Sequence, residues 1–352
     1  MSGRRSGTLL SKVMQISNGK RKGLQAVSDS RGVIAALAID QRSALRKLFS
    51  AASGVDSEQV PVEVLEQYKE AVSRVLTPYA SAILLDPEIG LGAAKQRATN
   101  AGLLLAYEQS GYDKSIPGRL PRLLDNCSVA KLVAAGADGI KTLLYYSPFS
   151  TPDVNRGKQR WVERVGAECA AGNVPYFLEL VPYHDDIDEK SREFAVLKPE
   201  IVTRGIEEFS GAQYLVDILK VGVPVNMAFV GGLSNQVADA VYTREEAKEQ
   251  FRRAAAAARK PFIYLSEGVS NEMFSKTLEL AAEAGAAFSG VLCGRATWKD
   301  GVPVFVSGGM NALEDWLAND GVQNIQRVNA LLGPAKPWFQ CYEESANSTA
   351  SN

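Results

Sequence analysis

YLVDILKV, residues 214–221, and VPYFLELV, residues 174–181, are apolar runs of strand length, each with one ionisable side chain near its C-terminal end: Lys220 and Glu179. A run that is apolar on both faces reads as a strand buried on both sides, the habit of parallel sheets. Working outward, six more such runs appear, at residues 33–39 (VIAALAI), 81–86 (SAILLD), 102–107 (GLLLAY), 138–144 (DGIKTLL), 261–266 (PFIYLS) and 289–293 (SGVLC). Helical patterns lie between them, at residues 64–76, 245–259 and 272–284, the last N-capped by Ser270 and stopped by Gly285. Strands alternating with helices predict an α/β fold with a helix-covered parallel sheet, and eight repeats fit a closed (β/α)8 TIM barrel better than an open sheet. The open-sheet rival would need a dinucleotide fingerprint, and the G-x-G at Gly90 and Gly92 continues without its third glycine. No Pro/Gly/Ser-rich linker divides the chain. It reads as a flexible N-terminal extension (1–22), one barrel domain (23–340) and a C-terminal tail (341–352).

The 352 residues, 46% of them hydrophobic, suffice for one large core, and a formal charge of −1 gives no global attraction to nucleic acid or anionic membranes. A basic N-terminus (Arg4, Arg5, Lys12, Lys20, Arg21, Lys22) comes without an apolar signal region or spanning segment, so a cytoplasmic location is expected. The four cysteines, Cys127, Cys169, Cys293 and Cys341, have no metal-cradle spacing and read as reduced packing residues. The single histidine, His184, cannot furnish an imidazole-rich metal site, and no metal or cofactor is expected. A homo-oligomer stays open.

Active sites of such barrels lie where the strands end at the C-terminal face. Asp40, Gln41 and Arg42 follow strand one, Lys141 lies in strand four, Glu179 in strand five and Lys220 in strand six. A buried ionised side chain is costly unless it is paired or used. Two lysines and a glutamate at one depth can favour a neutral amine, the nucleophile that forms a Schiff base. Periodicity does not decide which lysine attacks. A salt bridge alone would also account for Glu179, and a helix cap for Asp40. The turns after strands seven and eight carry Ser266 and Gly268, then Gly294 and Arg295. Together they supply a hydroxyl, open backbone and a guanidinium for a phosphate, although ordinary strand-to-helix turns use similar residues.

Several segments, taken together, resemble the bacterial tagatose-1,6-bisphosphate aldolase family of class I, Schiff-base aldolases. They are GVIAALAIDQR (32–42), ILLDPEIG (83–90), GADGIKTLLYYSP (136–148), VPYFLEL (174–180), ILKVGVPVN (218–226), LSEGVS (265–270) and GVLCGRATW (290–298). The resemblance spans roughly residues 23–335. It implies a phosphorylated ketose substrate, Lys220 as the Schiff-base lysine and Glu179 as the proton-transfer residue. Asp40, Gln41 and Lys141 would line the sugar, with Ser266, Gly294 and Arg295 at one phosphate and Arg42 at the second. The same fold family includes aldolases acting on 6-deoxy-6-sulfofructose 1-phosphate. A metal-dependent sugar-phosphate isomerase and a non-catalytic sugar-phosphate sensor are the readings from other classes. The turn His184-Asp185-Asp186 has no counterpart in this reading.

Overall fold

The computed structural model describes residues 15–113, 115–233 and 240–342. Among them, eight parallel strands close a barrel in sequence order: β1 Ile34–Ala38, β2 Ala82–Leu85, β3 Gly102–Ala106, β4 Gly139–Tyr146, β5 Tyr176–Pro182, β6 Ile218–Val221, β7 Phe262–Leu265 and β8 Gly290–Cys293. The ring shuts through β1 against β8, where Ile34 pairs with Gly290 and Leu37 with Cys293. All eight expected runs become strands, and the G-x-G at Gly90 and Gly92 only opens the short helix Leu91–Gln96.

Because strand side chains alternate, the apolar residues separate into two bodies. Ile34, Ala36, Ala38, Ala82, Leu84, Leu104, Ala106, Phe177, Ile218, Ile263 and Leu292 fill the barrel interior. Their neighbours, such as Leu37, Ile83, Leu105, Leu178 and Leu219, face the helical layer. Ala38 on β1, Ala106 on β3 and Gly139 on β4 are small, which leaves room above them for long polar side chains.

The helices start where capping chemistry places them. Thr151, Ser191 and Ser270 accept from the third amide of Pro152–Ala171, Arg192–Phe209 and Asn271–Glu283, and Thr243 with Glu246 forms a capping box on Arg244–Ala257. Gly285 follows the helix that Ser270 opens, in the left-handed conformation at φ +72°.

The closed end of the barrel is sealed from both ends of the described chain. Helix Asn18–Ala26 lies across it with Leu24 buried, and Lys20 pairs with Asp217 at 2.7 Å. From the other side Trp338 is buried there, and the Tyr342 hydroxyl donates to the Asp217 carbonyl at 2.7 Å. The expected boundaries at 22/23 and 340/341 therefore shift. The first cuts a helix that packs on the strand starts, and the second detaches Tyr342 from Asp217. Residues 1–14 and 343–352, which hold the rest of the expected extension and tail, lie outside the described residues.

Candidate active site

The polar residues at the barrel mouth follow from the interior alternation. Asp40 stands two residues beyond Ala38, Lys141 two beyond Gly139, Glu179 two beyond Phe177 and Lys220 two beyond Ile218, so each is the next inward position above the apolar filling. Glu179 and Lys220 are direct register partners on β5 and β6.

These residues converge. Lys141 Nζ lies 2.8 Å from Asp40 Oδ2, 2.8 Å from Glu179 Oε2 and 2.6 Å from Glu108 Oε1. Lys220 Nζ lies 2.9 Å from the same Glu179 Oε2. All five side chains are buried. Fully ionised, three carboxylates and two ammonium groups carry one net negative charge. Lys141 is thus not an unshielded cation pressing on Lys220, because three carboxylates take up its charge.

Burial penalises every charge in this cluster, and the partners decide the outcome. For Asp40 the burial penalty is outweighed by Lys141 and Lys220, which hold its carboxyl well below the usual carboxylate range. Glu179 is also held down, against burial, by the same two lysines. Glu108 goes the other way: burial, with help from the Asp40 charge, pushes its carboxyl up despite the contact with Lys141. Lys141 is desolvated too, yet Asp40, Glu108 and Glu179 fix its proton well above the ordinary lysine value.

Glu108 was not foreseen from the sequence. Its signal is the same alternation, two residues beyond Ala106 on β3, hidden because the apolar run was read through Tyr107. Its Oε2 is buried without a hydrogen-bond partner. Asp86 was likewise missed, two beyond Leu84; it pairs with fully buried Lys69 and accepts the Glu88 and Ile89 amides. A third unforeseen group lies at Tyr145 in β4, four residues beyond Lys141. There the Arg119 guanidinium stands 5.0, 5.3 and 4.6 Å from the ring centroids of Tyr112, Tyr145 and Tyr183.

The remaining expected residues surround the five-residue centre. Gln41 donates to Asp40 Oδ1 at 3.0 Å, and its own Oε1 is buried without a partner. Arg42 is already engaged, with Glu88 in an ion pair and with the Glu108 carbonyl at 2.8 Å. After β7, Ser266 to Val269 form a tight turn closed by the Val269 amide on the Ser266 carbonyl at 3.1 Å. Gly268 there has φ +76°, and a side chain on it would collide with the Arg295 guanidinium, whose Cζ lies 2.6 Å from that position. Gly294, after β8, packs against Ala38 and caps the short helix that opens with Arg295. The two turns therefore meet. His184 sits away from the centre, where its Nδ1 accepts the Asp186 amide at 3.1 Å and the neighbouring Asp185 accepts from the Gly118 amide. Among the described residues, no three of His, Cys, Asp and Glu are grouped as metal ligands. Nor is any of their helices long and apolar enough to cross a membrane.

A closed eight-strand parallel barrel with ionisable side chains converging at its C-terminal mouth defines a barrel enzyme. Residues 34–300 match the DeoC/LacD family aldolases, and the chain belongs to that family. It is an aldolase, a lyase. Tagatose 1,6-diphosphate aldolase 2 of Enterococcus faecalis is 50% identical over 328 residues, covering 93% of this chain and 97% of that protein. Tagatose 1,6-diphosphate aldolase of Listeria monocytogenes is 44% identical over 332 residues, covering 94% and 96%. Among solved structures, the fructose-bisphosphate aldolase of Plasmodium falciparum superposes with a TM-score of 0.64 at 14% identity, over 96% of this chain and all of that one. A Schiff-base-forming fructose-1,6-bisphosphate aldolase superposes at 0.55 with 16% identity, over 89% and 99%. At these identities the two structures share the fold.

Proposed function

We propose that this aldolase works through a Schiff base on Lys220 and cleaves tagatose 1,6-bisphosphate to dihydroxyacetone phosphate and glyceraldehyde 3-phosphate. The observation that carries the mechanism is the single oxygen, Glu179 Oε2, shared between Lys220 at 2.9 Å and Lys141 at 2.8 Å. A proton leaving Lys220 has an acceptor already in hydrogen-bond contact, and Lys141 keeps that acceptor oriented.

The neutral Lys220 amine attacks C2 of the open-chain ketose, and the C2 oxygen takes up a proton to give the carbinolamine. Glu179 then returns its proton to the departing hydroxyl, water leaves, and the protonated imine forms. A base removes the C4 hydroxyl proton, the C3–C4 pair flows into the imine, and glyceraldehyde 3-phosphate departs. Asp40, which meets the same Lys141 amine as Glu179, assists that removal. Protonation of the enamine at C3 and hydrolysis of the imine release dihydroxyacetone phosphate and restore Lys220. Gln41 offers its unpartnered Oε1 to a sugar hydroxyl, and Ser266, Gly268, Gly294 and Arg295 hold the C1 phosphate.

The sugar is supported by relatives 44–50% identical over nearly their whole length, each named a tagatose 1,6-diphosphate aldolase. Arg42 stands in the sector for the distal phosphate, where that group would replace the half-exposed Glu88. The balanced formal charge and the substrate class fit a cytoplasmic enzyme that engages neither nucleic acid nor membrane. Borohydride reduction with dihydroxyacetone phosphate should add mass to the Lys220 peptide, and modification on Lys141 alone would reassign the nucleophile. The sugar is tested by kcat/KM for tagatose 1,6-bisphosphate against 6-deoxy-6-sulfofructose 1-phosphate. A sulfonate preference above about tenfold would remove the bisphosphate assignment and leave Lys220 untouched.

A further inference from the structure

Glu267 follows Ser266 with φ +50°, a left-handed conformation that side chains other than glycine seldom adopt. Such a conformation persists where the surroundings hold it. Here the holder is identifiable. Glu267 Oε2 lies 2.6 Å from Lys198 Nζ, and Lys198, on helix Arg192–Phe209, has a side chain only 6% exposed. The other carboxylate oxygen reaches over Gly222, two residues after Lys220; a Cβ on Gly222 would stand 2.7 Å from Glu267 Oε1 and 3.0 Å from Pro182. The carboxylate thus occupies a gap that glycine leaves open between the ends of β5 and β6.

The turn that Glu267 belongs to is pinned at its other residues as well. Arg295 packs flat against Gly268, and Lys299 Nζ reaches the Gly268 carbonyl at 3.4 Å. The contact from Lys198 comes from helix Arg192–Phe209, and Lys198 has no place at the proposed phosphate.

We infer that the Lys198–Glu267 ion pair is a strut that sets the turn carrying Ser266 and Gly268, which makes Lys198 a positioning residue for the substrate phosphate although it stands outside the mouth. This rests on the reading of that turn as the C1-phosphate site. The strut fixes where the Ser266 hydroxyl and the turn amides point relative to Arg295. Losing it loosens the grip on phosphate and leaves the Lys220 and Glu179 chemistry in place.

The test is steady-state kinetics of Lys198→Met, Glu267→Gln and Glu267→Gly with tagatose 1,6-bisphosphate, beside Arg295→Ala. Each strut variant should raise KM about fivefold or more with kcat within about twofold, and Lys198→Met with Glu267→Gln together should be no worse than the more affected single change. Borohydride trapping at Lys220 should remain complete at saturating substrate. Glu267→Gly removes the carboxylate while permitting the positive φ, so it separates the ion pair from backbone strain and stands in if Lys198→Met does not fold. Unchanged KM in Glu267→Gly, or a loss confined to kcat, would overturn the strut. If Arg295→Ala itself leaves KM unchanged, the phosphate reading beneath it is what has failed; if Arg295→Ala raises KM and the strut variants do not, the strut alone falls.

Discussion

Glu179 and Lys220 face each other across the β5–β6 register, carboxylate oxygen to amine nitrogen at 2.9 Å. A contact made by register partners on adjacent strands is fixed by the backbone ladder and does not depend on a loop. Glu179→Gln keeps the shape and removes the proton acceptor. It should lower kcat about 10²-fold or more, since acid–base groups typically contribute 10²–10⁴-fold, while KM changes little. Retention of near-normal turnover, measured by coupled assay, would transfer the role to Asp40.

Glu108, two residues beyond the end of β3, holds Lys141 at 2.6 Å. Glu108→Gln retains an oxygen that accepts from Lys141, whereas Glu108→Leu leaves that third contact unmade. The leucine variant should lose kcat by about tenfold or more, and the glutamine variant should recover most of it. Equal activity in the two variants would reduce Glu108 to packing.

Acid stability has a sign that differs between the carboxylates. Asp40 and Glu179 titrate below their ordinary 3.8 and 4.5 in the fold, so their contribution is complete above about pH 5 and is lost as pH falls through that range and below. Glu108 titrates above 4.5, so the folded chain takes up that proton before the unfolded one does, and its ionised form weakens the fold near neutrality. Asp40→Asn should therefore destabilise by ~1–3 kcal/mol at pH 7, a cost that starts to fall only below pH 3.8 and is still largely present at pH 3. Glu108→Gln should cost nothing at pH 7. Urea midpoints at the two pH values check both.

Glu88 occupies the Arg42 guanidinium from a side chain 52% exposed. Exposed ion pairs are worth ~0–1 kcal/mol, so Glu88→Gln should leave folding intact. It should free Arg42 and lower KM for a 1,6-bisphosphate, with no such gain for a ketose 1-phosphate that lacks the distal group. A gain common to both substrates would exclude Arg42 from the distal end.

The fold was legible because each strand is apolar on both faces, and runs such as VIAALAI and SAILLD have no competing helical period. Lys220, Glu179 and Lys141 were legible as charges within such runs. Glu108 and Asp86 were not: Glu108 lies past the end of its run, where a polar residue looks like the start of a loop, and Asp86 closes the run SAILLD without standing out from it. Counting inward positions in twos from Ala106 and Leu84 would have reached both. The pairing of Arg42 with Glu88 is a contact between loops that no local period encodes. The ends of the domain were misjudged for a similar reason: Lys20 and Tyr342 owe their order to Asp217, about 200 and 125 residues away in sequence.

That meeting at Asp217 also determines how the enzyme can be handled. Residues 15 and 342 both reach the barrel's underside, opposite Lys220. A peptide graft joined at exposed Gln15 or after Tyr342 therefore departs from the face opposite Lys220 and Glu179. Anchored there to a bead, a scaffold or a partner enzyme, the barrel would keep its mouth turned to the solution.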